Sequence, residues 1–100
     1  MLDIKKNQDG STLEFVLDGR LDTITAPQLE EEVKASLDGI TELVFDFSNL
    51  AYVSSAGLRA FRHVYMDMRQ KHGVLIARNV SKAVMEVFEI TGFTRLFKFE

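Results

Sequence analysis

Two adjacent serines stand between an apolar strand and a helix-forming run, in Asp46-Phe47-Ser48-Asn49-Leu50-Ala51-Tyr52-Val53-Ser54-Ser55-Ala56-Gly57-Leu58. The first turn of a helix has backbone N–H groups without intrahelical partners, and its dipole favours negative charge. A serine hydroxyl there either caps the helix or carries a phosphate that those N–H groups help to hold. A nucleophilic serine at such a turn usually sits in a G-x-S-x-G elbow. Around Ser55 the run is Val53-Ser54-Ser55-Ala56-Gly57, without the leading glycine. The only imidazoles belong to His63 and His72. At ~1.5 Å of rise per helical residue, His72 lies roughly 25 Å from Ser55 and His63 over ~10 Å along the same axis. Without a general base in reach, the serines do not read as a hydrolase, and no other catalytic equipment takes their place.

A phosphate-cradling G-x-x-x-x-G-K-[ST] loop does not occur. Asp46 falls near a strand end, but no acidic pair follows the first strand to hold Mg²⁺ beside it, as a phospho-aspartate receiver would need. Glu30-Glu31-Glu32 fan out around a helix and cannot converge on one ion, so they read as a solvated face. No cofactor or metal is implied. The 100 residues suffice for one domain, expected to span 1–100 with a single core. A net charge of −3 argues against nucleic acid as the main ligand. The absence of cysteine removes disulfides and thiolate metal sites. No stretch approaches the ~20 apolar residues that span a bilayer, and Met1-Leu2-Asp3-Ile4-Lys5-Lys6 lacks the apolar run of a signal peptide, so a cytoplasmic address is expected.

The elements that must position the serines follow from hydrophobic periodicity. Strands are expected over residues 2–6 and 12–18, where Leu13, Phe15 and Leu17 alternate with less apolar neighbours, and Asp9-Gly10 joins them as a hairpin. Gly19 is expected to break the second strand. Thr25-Ala26-Pro27-Gln28 opens a helix with Thr25 as cap and Gln28 as its capping-box partner, and Gly39 stops it. Ala26, Leu29, Val33 and Leu37 form its apolar stripe. Leu43-Val44-Phe45-Asp46-Phe47 is apolar at both parities, as in a strand covered on both faces. The second helix runs from about Ala56 to Lys71, with Leu58, Phe61, Tyr65 and Met68 inward and Arg59, Arg62, His63 and Arg69 outward. Val74 to Ala77 is a short strand. Ser81 caps a third helix that ends at Gly92, and Leu96 to Phe99 is the last strand. The order β-β-α-β-α-β-α-β predicts an α/β fold: a mixed, mostly parallel sheet of about five strands with three to four helices and one antiparallel edge strand.

The serine stretch resembles the signature of STAS domains, in particular of bacterial anti-sigma factor antagonists. Asp46-Phe47-Ser48-Asn49-Leu50 followed by Tyr52-Val53-Ser54-Ser55-Ala56-Gly57-Leu58 carries the resemblance. Gly19-Arg20-Leu21-Asp22, Gly73, and Phe88-Glu89-Ile90-Thr91-Gly92-Phe93 extend it over the whole chain in the right order. The resemblance implies a regulatory protein that is not an enzyme. Its implied partner is an anti-sigma factor with serine-kinase activity, bound tightly only while the antagonist is unphosphorylated, so that a sigma factor is freed. A phosphatase would reset the switch.

Carried over by position, Ser55, two before the glycine, is the phospho-acceptor, with Ser54 the alternative. The implied partner face comprises Asp22, Ser54, Ser55, Ala56, Gly57, Leu58, Arg59 and Arg62, where Asp22 either touches the partner or hydrogen-bonds its own loop. Ser54 stands where many members have Asp, and Ala56 where many have Ser or Thr. Many members also continue into a further helix after the last strand. Neither DNA nor membrane is an implied partner, and a monomer or weak dimer is expected. The alternative is a STAS scaffold, or a module sensing a nucleotide or small ligand, that does not act on an anti-sigma factor.

Overall fold

A computed structural model describes residues 1–100. Five strands line up in sequence order across one sheet: β1 (Leu2–Asp9), β2 (Thr12–Leu21), β3 (Glu42–Val53), β4 (Val74–Arg78) and β5 (Lys98–Phe99). β1 is antiparallel to β2 and forms the expected hairpin edge, while every other pairing is parallel. Helices α1 (Ala26–Lys34), α2 (Ser55–Gln70) and α3 (Lys82–Thr91) make the crossovers, with one 3₁₀ turn (Phe93–Arg95) before β5. Parallel strands laid side by side in order, with crossovers of one hand, put every helix on the same face.

The core lies between that face and the helices. Phe47 sits at its centre, with ring centroids 5.5 Å from Phe61, 5.6 Å from Phe88 and 5.9 Å from Phe97. These are edge-to-face contacts, the arrangement that the quadrupoles of aromatic rings favour. β3 is covered on both faces as its apolar run implied, although the helices lie on one face only. Val44 and Ile76 are buried on the far face without joining the main core. Arg78 on β4 reaches Glu14 on β2 at 2.9 Å, so their side chains bridge across β3, and Arg78 also holds Glu100 at 2.8 Å.

Several element ends differ from the periodicity reading. β2 runs through Gly19, which takes φ +121° and leaves no room for a Cβ beside the Met1 carbonyl. A side chain would be strained there, and glycine continues the strand instead of breaking it. β3 runs six residues past Phe47. Its inward residues there are Phe47, Leu50 and Val53, spaced by three instead of two. The pairing with β2 explains the spacing: Val16 faces Asp46 but Asp18 faces Asn49, and Gly19 faces Leu50 but Arg20 faces Tyr52. Each shift inserts one extra residue in β3, a bulge that turns the strand without losing its buried side.

α1 stops at Lys34, short of Gly39, yet Leu37 and Ile40 still fill the core from the connection that follows. Thr25 does not cap α1 through its side chain, and the expected capping box is absent. The Thr25 hydroxyl is engaged upstream, donating to the Arg20 carbonyl at 2.8 Å and accepting from the Asp22 N–H at 2.9 Å. Gln28 reaches instead to the Leu2 carbonyl. Ser81 does cap α3, accepting from the Val84 N–H at 3.3 Å, and Gly92 ends that helix at φ +79°. β5 shortens to Lys98–Phe99 because the preceding residues wind into the 3₁₀ turn.

Candidate functional site: the serine turn between β3 and α2

The two serines divide the possible roles between them. Ser54 is extended (φ −90°, ψ 174°) and is the N-cap of α2, its Oγ accepting the Gly57 N–H at 3.3 Å. Ser55 is the first helical residue and is exposed. Its hydroxyl enters none of the side-chain hydrogen bonds that order this turn. The hydroxyl that caps is therefore Ser54, and the one open to solvent is Ser55. Ser54→Ala should cost about 1 kcal/mol of stability, within the ~0.5–2 kcal/mol range of lost caps, measurable by urea unfolding. A loss of the same size in Ser55→Ala would show that the assignment of the cap is reversed.

Tertiary contacts fix the turn against the end of β2. The Ser54 N–H donates to the Leu21 carbonyl at 2.8 Å. Gly57 packs so closely there that a Cβ would lie 2.8 Å from the Leu21 side chain. Glycine at this position is thus required by close approach rather than by backbone conformation. Leu58 turns into the core at 9% exposure. Gly57 and Leu58, expected in the partner-facing set, are buried and hold the surface residues in place. Ala56 is half-buried, whereas Arg59 and Arg62 are exposed one and two turns along α2. Neither arginine forms an ion pair within the chain.

The bond between Leu21 and Ser54 brings Asp22 to the same end of the sheet. Its Oδ1 accepts the N–H groups of Ile24 and Thr25, each at 3.0 Å, so the carboxylate braces its own turn. Asp46 does not reach the serine turn. It ties the first bulge of β3 by accepting the Ser48 N–H at 2.9 Å, and it accepts Asn79 at 3.2 Å.

The structure adds residues that periodicity did not single out. Arg20 lies over the Tyr52 ring at 4.4 Å, on the strand ends beside the turn. A shallow groove of about 310 Å³ separates the two turns, lined by Thr23, Ala26 and Pro27 on one side and Ala56, Arg59 and Ala60 on the other. Glu30 also borders it and bonds His63 at 3.0 Å, joining α1 to α2. Ile24, at 83% exposure, projects from the β2–α1 turn. An apolar residue in a polar turn was the available signal for it.

Three carboxylates titrate below their ordinary values. For Asp22, ordinarily 3.8, the bond from the Thr25 N–H is the largest cause, and with Ile24 it outweighs the upward push of burial. At Glu30 burial pushes upward, but the hydrogen bond and charge of His63, with Lys34, outweigh it. At Asp46 burial is again outweighed, by Ser48, Asn79 and the charge of Arg78. A carboxyl with a lowered folded pKa adds stability above its unfolded pKa and loses it as pH falls through the folded one. The melting temperature should therefore begin to fall below about pH 4. An unchanged melting temperature at pH 3 would refute a stabilising role for these contacts.

Comparisons with known proteins agree with the fold and with the family resemblance of the sequence. Residues 3–100 match the family described as STAS domain. A Bordetella bronchiseptica protein named for anti-sigma factor antagonism, BtrV, is 42% identical over 82 residues, covering 81% of this chain and 71% of its own. The anti-sigma-B factor antagonist of Listeria monocytogenes is 30% identical over 95 residues, covering 93% of this chain and 82% of its own. The anti-sigma factor antagonist SpoIIAA in its unphosphorylated form shares the fold at a TM-score of 0.86 and 19% identity, covering 98% of this chain and 88% of that one. The same Bacillus protein in its phosphorylated form matches at 0.78 and 18% identity, covering 98% of this chain and 91% of that one.

Proposed function

The chain belongs to the STAS domain family, among the bacterial anti-sigma factor antagonists, and from that we propose a phosphorylation-switched partner function. In its unmodified form it binds an anti-sigma factor with serine-kinase activity and so frees a sigma factor. The kinase transfers the γ-phosphoryl group of ATP to Ser55 Oγ, ADP leaves, and the modified chain lets go. A phosphatase then returns the serine. The contact face is Ser54, Ser55, Ala56, Arg59 and Arg62, with Gly57 and Leu58 beneath it and Asp22 at its border. The reaction is the partner's, and this chain acts as substrate and ligand within the cytoplasm.

The observation that carries this reading is the split between the serines. The Ser54 hydroxyl is committed to the Gly57 N–H, while Ser55 stands exposed at the positive end of α2. A phosphate on Ser55 keeps the cap, whereas one on Ser54 would displace it. The relatives named for anti-sigma antagonism support the partner class. The existence of SpoIIAA in both forms supports the modification.

Mass spectrometry after incubation with ATP and the kinase-type anti-sigma factors of the same genome tests it. One phosphate on Ser55, absent from Ser55→Ala, is the expected result. A phosphate on Ser54 would relocate the site, and no phosphate from any candidate would overturn the switch.

A further inference from the structure

The β2–α1 turn is braced by side-chain hydrogen bonds from Asp22 and Thr25. Asp22 Oδ1 accepts the N–H groups of Ile24 and Thr25, and the Thr25 hydroxyl ties Arg20 to Asp22. Thr25 is 5% exposed, yet Ile24 beside it is 83% exposed. A large aliphatic side chain is thus held out into water by a polar framework, contrary to what burial favours. It is not isolated. Of the six large apolar side chains with substantial exposure, Met1, Ile24 and Tyr52 lie at this end of the sheet, where Met1 is tied to Arg20 and Tyr52 adjoins the serine turn.

We propose that Ile24 is the aliphatic anchor through which the kinase-type anti-sigma factor docks, and that Asp22 is a positioning residue that holds Ile24 out without touching the partner. This rests on the partner function proposed above. The occupant follows from geometry. The Ile24 turn and the Ser55 turn are joined by the Ser54–Leu21 hydrogen bond and face one another across the Thr23–Ala56 groove. A standard interface covers roughly 800 Å² on each partner, a patch about 30 Å across. A protein that brings a phosphoryl donor to Ser55 Oγ therefore covers the neighbouring turn as well. Its surface must offer an apolar pocket beside its nucleotide site, because an exposed, preorganised aliphatic side chain gains most from such a pocket.

Binding of the unphosphorylated protein to purified kinase-type anti-sigma factors of the same genome, with ADP present, is measured by calorimetry. Ile24→Ser should weaken binding roughly tenfold to hundredfold, as expected for an aliphatic side chain buried on association. Its melting temperature should stay within about two degrees of wild type, since the residue is 83% exposed in the free protein. Asp22→Asn keeps an oxygen that can accept both N–H groups, and should bind within about threefold of wild type. Asp22→Ala removes the brace and should bind as weakly as Ile24→Ser. Wild-type affinity in Ile24→Ser would overturn the anchor while leaving the partner function intact. Equal losses in Asp22→Asn and Asp22→Ala would place the carboxylate charge against the partner and overturn the positioning role. No binding by wild type to any candidate would overturn the partner function, and the anchor with it.

Discussion

A glutamate at position 55 should abolish tight binding to the anti-sigma factor while leaving the fold intact. Ser55 is the first residue of α2, so a negative charge there meets the positive end of the helix dipole. That interaction favours the folded state by about 0.3–1 kcal/mol. The same charge trapped in an interface meets desolvation and like-charge costs of several kcal/mol. At ~1.4 kcal/mol per tenfold, affinity should fall at least about a hundredfold. A phosphate, with nearly two charges, should exceed that. The expected pair of results is a melting temperature equal to or slightly above wild type and a lost binding isotherm. Wild-type affinity in Ser55→Glu would overturn the switch. A collapse of stability would show that Ser55 is structural, which its exposure argues against.

Phe47→Ala should be the most damaging single truncation in the core. Its ring is fully buried and meets Phe61, Phe88 and Phe97 edge to face, with Phe45 at 6.2 Å. It therefore joins β3 to α2, α3 and the segment leading to β5. Removing it loses both transfer free energy and the packing of the cavity walls, about 3–5 kcal/mol. Domains of this size are stable by only about 5–15 kcal/mol. At roughly 4–8 °C per kcal/mol, the melting temperature should drop by more than about 12 °C. A drop of less than about 5 °C would mean that the aromatic cluster repacks around the gap. Because β3 ends in the serine turn, the same variant should also loosen Ser55. Faster amide exchange at Gly57 and Leu58 would report that coupling.

The residues most local in their chemistry were legible from the sequence. Alternation in β2, the three-and-four spacing of α2, the Ser81 cap and the Asp9-Gly10 hairpin each depend on a few neighbours along the chain, and each formed as the pattern implied. The motif around Ser54 and Ser55 marked the family because it condenses several such requirements into one turn. Gly57 shows where local reading stops: the chain required glycine there, but the cause, the Leu21 side chain, lies 36 residues away in sequence.

The rest was decided by pairing across the sheet. Periodicity ended β3 at Phe47 because the inward spacing changes from two to three, and only the register with β2 shows that two bulges keep Leu50 and Val53 buried. Thr25 read as a helix cap because its type and position fit. The folded β2–α1 turn gives its hydroxyl the Arg20 carbonyl and the Asp22 N–H instead. The apolar run of β3 implied a strand covered on both faces, but only strand order puts the helices on one face and leaves Val44 on the other beneath the Arg78–Glu14 bridge. Ile24 stood out in the sequence only as an apolar residue in a polar turn, and its exposure belongs to the assembled surface and not to residue type. Local sequence sets what each segment prefers. Long-range hydrogen bonds and packing settle which preference is satisfied, because a buried polar group or an unfilled core costs more than any single propensity.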